Sequence, residues 1–520
     1  MLLAVMGVLV GCTGGAADYT LHLTPVAASS QSPFEGLDRI DLVLTPAVGD
    51  ALRVTLGSPT SGATPEITGL PPLEDTRIAV EGYEGDTLAM RGMTEPLTAS
   101  DGVVDAQVFV AATESTAWLG ALPEGLQLPL LVALGNGRFW VGGGVTNNRA
   151  GEPRKENDAV QILSLAPPDE NLAFTAAGTL PGYTDADGNQ QTARMGATVT
   201  PLTVSGTDAG KVLVTGGAPL HPLLYDGQTT KAAGLYDPAT DTWEELPAAD
   251  ALNDYRTLHL AIENLLGNVV IWGGLGRYDS ADRAVELPNT IEYYDRAARA
   301  FTSLGTADLG YLGSFAADLG NDGTLICGGA DISSGWTSTS TCVRVALDGS
   351  GVETFAALPA GLAGAAMLTL EDGRVLLTGG ATTTAPMNTD ADVEARSSAW
   401  LYNPETEQWG SLSAQMGVAR AGHRMVRLAD GRVLIVGGAE SYNAVATPAD
   451  PVSCLEIYDP VDGSFTSVDG CDASDDAGGL PGRAYEPAVA YDPDYGVLVV
   501  GGSGADGSAV TGVSLFVPGI

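Results

Sequence analysis

The sequence predicts an all-β chain in two parts, a small β-sandwich followed by a long array of repeated sheets. Three observations carry this. The apolar runs are short, rich in Val, Leu, Ile and Thr, and show almost no 3.6-residue periodicity. The 68 Gly and 30 Pro are dispersed among those runs, so they punctuate turns rather than form low-complexity tracts. From residue 113 onward a Gly-Gly pair ends a β-run at seven places. At 520 residues the chain is too long for one ordinary core, which agrees with two domains or one large array.

Residues 2–10 (LLAVMGVLV) are apolar but too few to cross a bilayer as a helix, which takes about 20 residues. They suit the core of a signal peptide, residues 1–11. The run leads into Leu9-Val10-Gly11-Cys12, which resembles the lipobox of bacterial lipoproteins. That resemblance implies cleavage before Cys12, acylation of its thiol and new amino group, and a tether over residues 12–17. Thr13, rather than Asp, follows the cysteine, which by the same resemblance favours the outer membrane, facing the periplasm or the cell surface. One departure from the pattern is that no Lys or Arg precedes the apolar run.

Residues 18–112 read as an independent β-domain, with alternating runs at 19–24, 39–44, 52–56, 77–81, 87–91 and 103–110. Turn clusters such as Gly57-Ser58-Pro59-Thr60-Ser61-Gly62 separate them. The expectation is a sandwich of immunoglobulin or fibronectin type, although no Cys…Trp…Cys core is present. Beside a lipid anchor it would act as a spacer.

The array spans 113–520. Its diglycines are Gly143-Gly144, Gly216-Gly217, Gly273-Gly274, Gly328-Gly329, Gly379-Gly380, Gly437-Gly438 and Gly501-Gly502, spaced 51 to 73 residues apart. After four of them an aromatic closes one run and another opens the next: Tyr236 and Trp243, Tyr294 and Phe301, Tyr402 and Trp409, Tyr458 and Phe465. Leu165 with Phe174, and Leu347 with Phe355, take those roles in two degenerate segments. Diglycine, then Tyr-Asp-Pro, then Trp resembles the kelch repeat, and the resemblance covers roughly 400 residues in register. It implies one four-stranded blade per repeat, and hence a seven-bladed β-propeller. The last repeat ends at its third strand, and residues 115–122, with Trp118, are expected to supply the fourth and close the ring. Closure leaves no long exposed sheet edge, so a monomer is expected.

Four cysteines fall into two local pairs, Cys327 with Cys342 and Cys454 with Cys471. Antiparallel neighbours can meet within disulfide range, about 4.4–6.8 Å between Cα atoms. Zinc is the alternative, without C-x-x-C spacing or nearby histidine to support it. Two disulfides, in an oxidising compartment, are the expectation.

The 24 basic and 64 acidic residues give a formal charge of −40, which argues against nucleic acid and anionic lipid headgroups as partners. The loops after the diglycines are long, and long loops on a rigid scaffold are the usual seat of recognition. They carry Tyr225, Arg277, Tyr278, Trp336, Arg396 and Tyr442, among other basic and aromatic residues suited to an anionic or glycan ligand. Arg194, Arg256, Arg420 and Arg483 begin innermost strands. The kelch resemblance points them toward the channel mouth, where they would grip an anion or hold backbone carbonyls between blades, the latter being the first expectation. Asp185, Asp187 and Asn189 alternate around Gly188 in a spacing that suits calcium; an Asx turn is the alternative, and no other cofactor is expected.

Of the four histidines, His259 and His423 each follow an arginine by three residues, and no catalytic motif is visible. The function expected is therefore a lipid-anchored envelope protein whose propeller binds a protein or glycan. A carbohydrate-active kelch enzyme of oxidase or epimerase type, or a purely structural envelope protein, are the other readings.

Overall fold

Second strands that are apolar on both faces, such as Val269–Trp272, Val375–Thr378 and Val433–Val436, are buried at every position. Such strands need a sheet packed on each side, and a ring of radial blades provides this. The computed structural model describes residues 18–27, 34, 36–57, 66–146, 155–165, 173–185, 188–219, 229–279, 284–333, 335–383, 393–442, 450–468, 480, 485–505 and 507–519. Among them the only helix is a single 3-10 turn, Gly320–Asp322.

Seven antiparallel sheets form the blades. Their innermost strands, Leu130–Gly135, Thr198–Pro201, Leu260–Glu263, Leu312–Asp318, Ala366–Thr369, Arg424–Arg427 and Ala488–Asp492, adjoin one another in a closed ring. The seventh sheet is completed by Ser115–Ala121, which pairs antiparallel with Gly512–Val517. A strand from before the array therefore locks to the last strand of the chain. In the two degenerate repeats the outer pairings are Leu163 with Phe174 and Val345 with Val352, so Leu165 and Leu347 lie past the positions expected of them.

The diglycines are the contact points between blades. The second glycine donates its N–H to a carbonyl at the start of the next blade: Gly217 to Arg256 (2.8 Å), Gly274 to Tyr311 (2.7 Å), Gly329 to Leu362 (2.8 Å), Gly380 to Arg420 (3.0 Å) and Gly502 to Leu126 (2.9 Å). Beside them, the His259 imidazole meets the Thr215 hydroxyl at 2.8 Å, and His423 meets Thr378 at 2.8 Å. Arg-x-x-His on one blade thus staples to Thr-Gly-Gly on the one before.

The N-terminal part is a separate sheet of eight strands. Hydrogen bonding runs unbroken from Leu52–Leu56 through Arg39–Pro46, Leu73–Glu84, Thr87–Met93, Asp101–Ala112 and Asp18–Ala27 to Glu66–Thr68. Two stacked layers were the expectation; parallel pairing of Asp18–Ala27 with Asp101–Ala112 instead joins all the strands into one sheet. The sheet curls as a half-barrel around Tyr19, Leu21, Leu42, Ile78, Val80 and Val108. From its other face Ala79, Met93, Phe109 and Ala111 pack onto Leu119, Leu131, Phe139 and Tyr495 of the first and last blades. Arg77 reaches Asp494 and Asn136 at the ends of two first-to-second-strand turns.

Cys327 and Cys342 face each other across neighbouring strands and are disulfide-bonded, with Cα atoms 4.1 Å apart and both side chains fully buried. Cys454 is also disulfide-bonded; Cys471 lies outside the described residues.

Candidate functional site: the long-loop face and the arginine slots

Antiparallel alternation sends the second-to-third-strand loops and the blade connections to one face of the ring, and the short turns to the other. On the long-loop face, neighbouring loops are stitched together. Val393–Glu394 of blade 5 pairs with Ser441–Tyr442 of blade 6. Ser338 of blade 4 donates its N–H to the Thr383 carbonyl of blade 5 at 3.1 Å, and the Thr383 hydroxyl donates to the Trp336 carbonyl. The loops of blades 4, 5 and 6 therefore form one hydrogen-bonded crest.

Trp336 stands on this crest in a left-handed conformation (φ 58°), half-buried, with its indole N–H buried and without a partner. Strain of this kind in a bulky residue persists only where its surroundings enforce it. Arg396 is exposed on the same crest and donates to the Thr382 hydroxyl at 2.8 Å. Arg277 is exposed beside a two-stranded hairpin, Tyr278–Asp279 with Ala284–Val285, on blade 3. For Tyr278 and Tyr442 only the backbone is described, and Tyr225 lies outside the described residues. These residues are thus spread over blades 3 to 6 rather than gathered around one centre.

The arginine expectation is corrected in part. Arg194, Arg256 and Arg420 are buried, 1%, 0% and 0% exposed, and point into their own blades rather than into a channel mouth. Arg256 donates to the Gly273 carbonyl (2.9 Å), the Thr290 carbonyl (2.7 Å) and Glu292 (2.8 Å). Arg420 does the same with Gly437, Cys454 and Glu456. Every guanidinium nitrogen of Arg256 is engaged in this way, whereas Arg194 and Arg420 each keep a buried Nε without a partner. Arg483 lies outside the described residues.

A different ring marks the channel mouth. One residue per blade takes a left-handed conformation at this end of the innermost strand: Leu128, Gly196, Leu258, Gly364, Gly422 and Glu486 two residues before it, and Gly313 as its second residue. Glu486 brings a carboxylate there; burial raises it above the usual carboxylate range while Arg424 pulls the other way. Sequence reading missed both residues, although a non-glycine at a position that is otherwise mostly Gly was available as a signal.

Asp185 is buried, and its carboxylate accepts the N–H of Asn189, four residues on, at 2.8 Å and the Gln191 side chain at 3.1 Å. Asp187 lies outside the described residues, and among those described no group of three His, Cys, Asp or Glu side chains is placed to hold a metal. His259 and His423 are buried in the staples; desolvation, with the neighbouring arginine second, pushes His259 down to about 3 and His423 well below its ordinary range. Two hollows lie away from the long-loop face. One of about 670 Å³ is lined by Tyr19, Thr68, Asp101 and Val103, and one of about 390 Å³ by Asn321, Asp322, Arg344 and Glu353.

Fold and repeat landmarks together define the chain as a kelch-like, seven-bladed β-propeller carrying a separate N-terminal sheet. No protein-family model matches the sequence, and neither does any curated protein. Among solved structures the chain is similar to that of YjhT, at 16% identity and a TM-score of 0.45, over 67% of this chain and 99% of that one.

Proposed function

We propose that the chain is an exported, lipid-anchored envelope protein whose propeller binds a protein or glycan through its long-loop face. The observation that carries this is the polarity of the molecule. The N-terminal sheet docks at the short-turn face, through Arg77 against Asn136 and Asp494, which leaves the long-loop face pointing the other way. Asp18 pairs with Asp101 at the start of a strand that ends at Ala112, beside the propeller. At about 3.3 Å per residue, that strand separates the chain's N-terminal side from the ring by about 40 Å. A lipid on Cys12 would therefore sit at the far end, with the recognition face turned outward. The buried Cys327–Cys342 disulfide supports folding in an oxidising compartment.

The test is a glycan array and an envelope-extract pull-down with residues 13–520, comparing the native chain with Trp336→Ala, Arg277→Ala and Arg396→Ala. Saturable capture lost in these variants, but kept in Val461→Ala on the opposite face, supports the reading. Capture indifferent to all four would overturn the assignment of the face.

A further inference from the structure

Among the described residues, three blades carry arginine at the same place ahead of the innermost strand, and two of them meet its charge with a glutamate at the same position. Arg256 pairs with Glu292 and Arg420 with Glu456. Each glutamate stands on the third strand of its blade, opposite the residue two before the diglycine: Ile271 faces Glu292, and Ile435 faces Glu456. In the other blades the position holds Gln161, Val343, Trp400 and Ser514. Among these, the carboxylate accompanies the guanidinium and is otherwise missing.

Blade 2 breaks the pattern. Arg194 is 1% exposed, yet the residue opposite Val214 is Gly234. Arg194 Nη1 donates to the Gly216 carbonyl at 3.1 Å and the Ala232 carbonyl at 3.4 Å, matching the backbone contacts of the other two arginines. Its Nε is buried without a partner. The Tyr183 ring covers the guanidinium at 4.7 Å and supplies a cation–π contact but no counter-charge. Glu245 is the carboxylate that acts on it, and it forms no ion pair with it. A Cβ at Gly234 would meet first the backbone of the paired strand, Glu244 O at 3.0 Å and Glu245 Cα at 3.7 Å, and no side-chain atom is among its three nearest neighbours at the place where Glu292 and Glu456 begin. Desolvation pushes Arg194 down to about 10, which leaves it cationic at neutral pH. A buried guanidinium without an anion is strongly unfavourable, and a hydrogen-bonded anion relieves it.

From this geometry we infer that blade 2 is a binding site for a small monovalent anion, of carboxylate or halide type, held against Arg194 where Glu292 and Glu456 stand against Arg256 and Arg420. The anion is the counter-charge that the sequence omits at Gly234.

The test is thermal unfolding of the full chain at constant ionic strength, titrating formate in one arm and chloride in the other against a bulky organic anion. The native chain is expected to gain a few degrees in a saturable way, with the stronger arm naming the ligand. Gly234→Glu, which supplies the carboxylate internally, is expected to lose the response; Gly234→Ala, which adds only Cβ, keeps it, as does Glu245→Gln. Should Gly234→Glu fail to fold, Arg194→Met gives the same reading, with the saturable rise gone. No saturable rise in the native chain, or one that persists in Arg194→Met, overturns the site. The general response of a chain of charge −40 to salt is shared by every variant and is thereby subtracted.

Discussion

A Cβ on Gly379 would sit 2.3 Å from the carbonyl oxygen of Arg420, on the next blade. Gly216 stands in the same relation to Arg256, also at 2.3 Å. The first glycine of the pair is therefore fixed twice, by a left-handed backbone (φ 61° at Gly379) and by the approach of a neighbouring main chain. Gly379→Ala must move one blade against another. Gly373, at φ 83° with nothing within 4 Å of its Cβ position, isolates the backbone cost alone, about 1 kcal/mol. We expect Gly379→Ala to lose at least twice the stability that Gly373→Ala loses, measured as the shift in urea midpoint.

The buried ion pair of blade 3 makes a second prediction. Glu292→Ala leaves the buried Arg256 charge with carbonyls, the Thr290 hydroxyl and the longer 3.3 Å contact to Asp254, a loss at the lower end of about 3–5 kcal/mol. Replacing both partners, Arg256→Met with Glu292→Leu, removes charge and counter-charge together and is expected to cost much less. A double-mutant cycle by chemical denaturation checks this; equal losses in the two variants would show that the pair contributes through shape rather than charge.

The histidine staples fix how stability depends on pH. Burial holds His259 down to about 3 in the folded chain, against 6.5 ordinarily. A depressed folded value means that the unfolded chain binds the proton first, so the stabilisation is complete above pH 6.5 and drains away as pH falls toward 3. The full amount is roughly 4–5 kcal/mol at 1.36 kcal/mol per unit. His259→Gln keeps a hydrogen bond to Thr215 without titrating there. Its stability is expected to fall less steeply than that of the native chain between pH 6.5 and 3.

Much of this architecture was legible because it is written in backbone requirements. A diglycine at φ above zero, pressed on the next blade, tolerates no substitute, so it recurs visibly at Gly216, Gly273 and Gly379. Aromatic pairs such as Tyr294 and Phe301, whose rings lie 4.9 Å apart, mark the outer strands for the same reason. What stayed hidden depends on pairing at a distance. Nothing local tells that Glu292, 36 residues after Arg256, turns that arginine away from the channel. The N-terminal runs have sandwich periodicity, but the parallel pairing of Leu21 with Val104 that makes one sheet of them is a long-range register without a local mark.

The Cys327–Cys342 bridge closes a separation of 15 residues inside blade 4. Such a loop constrains the unfolded chain by about 3 kcal/mol. Because both sulfurs are fully buried, reductant alone should leave the native protein intact, and reduction should follow unfolding. Cys327→Ala with Cys342→Ala is expected to lower stability by about 3 kcal/mol. Rapid reduction of the folded protein, read by alkylation and mass spectrometry, would contradict the burial.

The N-terminal sheet and the ring should unfold as one unit. Ala79, Met93, Phe109 and Ala111 share an apolar cluster with Leu119 of the closing strand and with Leu131 and Tyr495 of the blades on either side. The strand Asp101–Ala112 runs on, after two residues, into Ser115–Ala121, which locks the last blade. At the same junction Glu114 pairs with Arg432 of blade 6 at 2.6 Å. Melting the sheet would uncover that cluster and release the strand whose loss reopens the ring, so neither part is stable at the other's expense. Calorimetry of the native chain is expected to give one transition. Met93→Asp, which puts a charge into the shared cluster, should lower that transition without dividing it. Two transitions in the native chain, with only the earlier one moved by Met93→Asp, would mean that the sheet is a passenger on the ring and that closure does not depend on it.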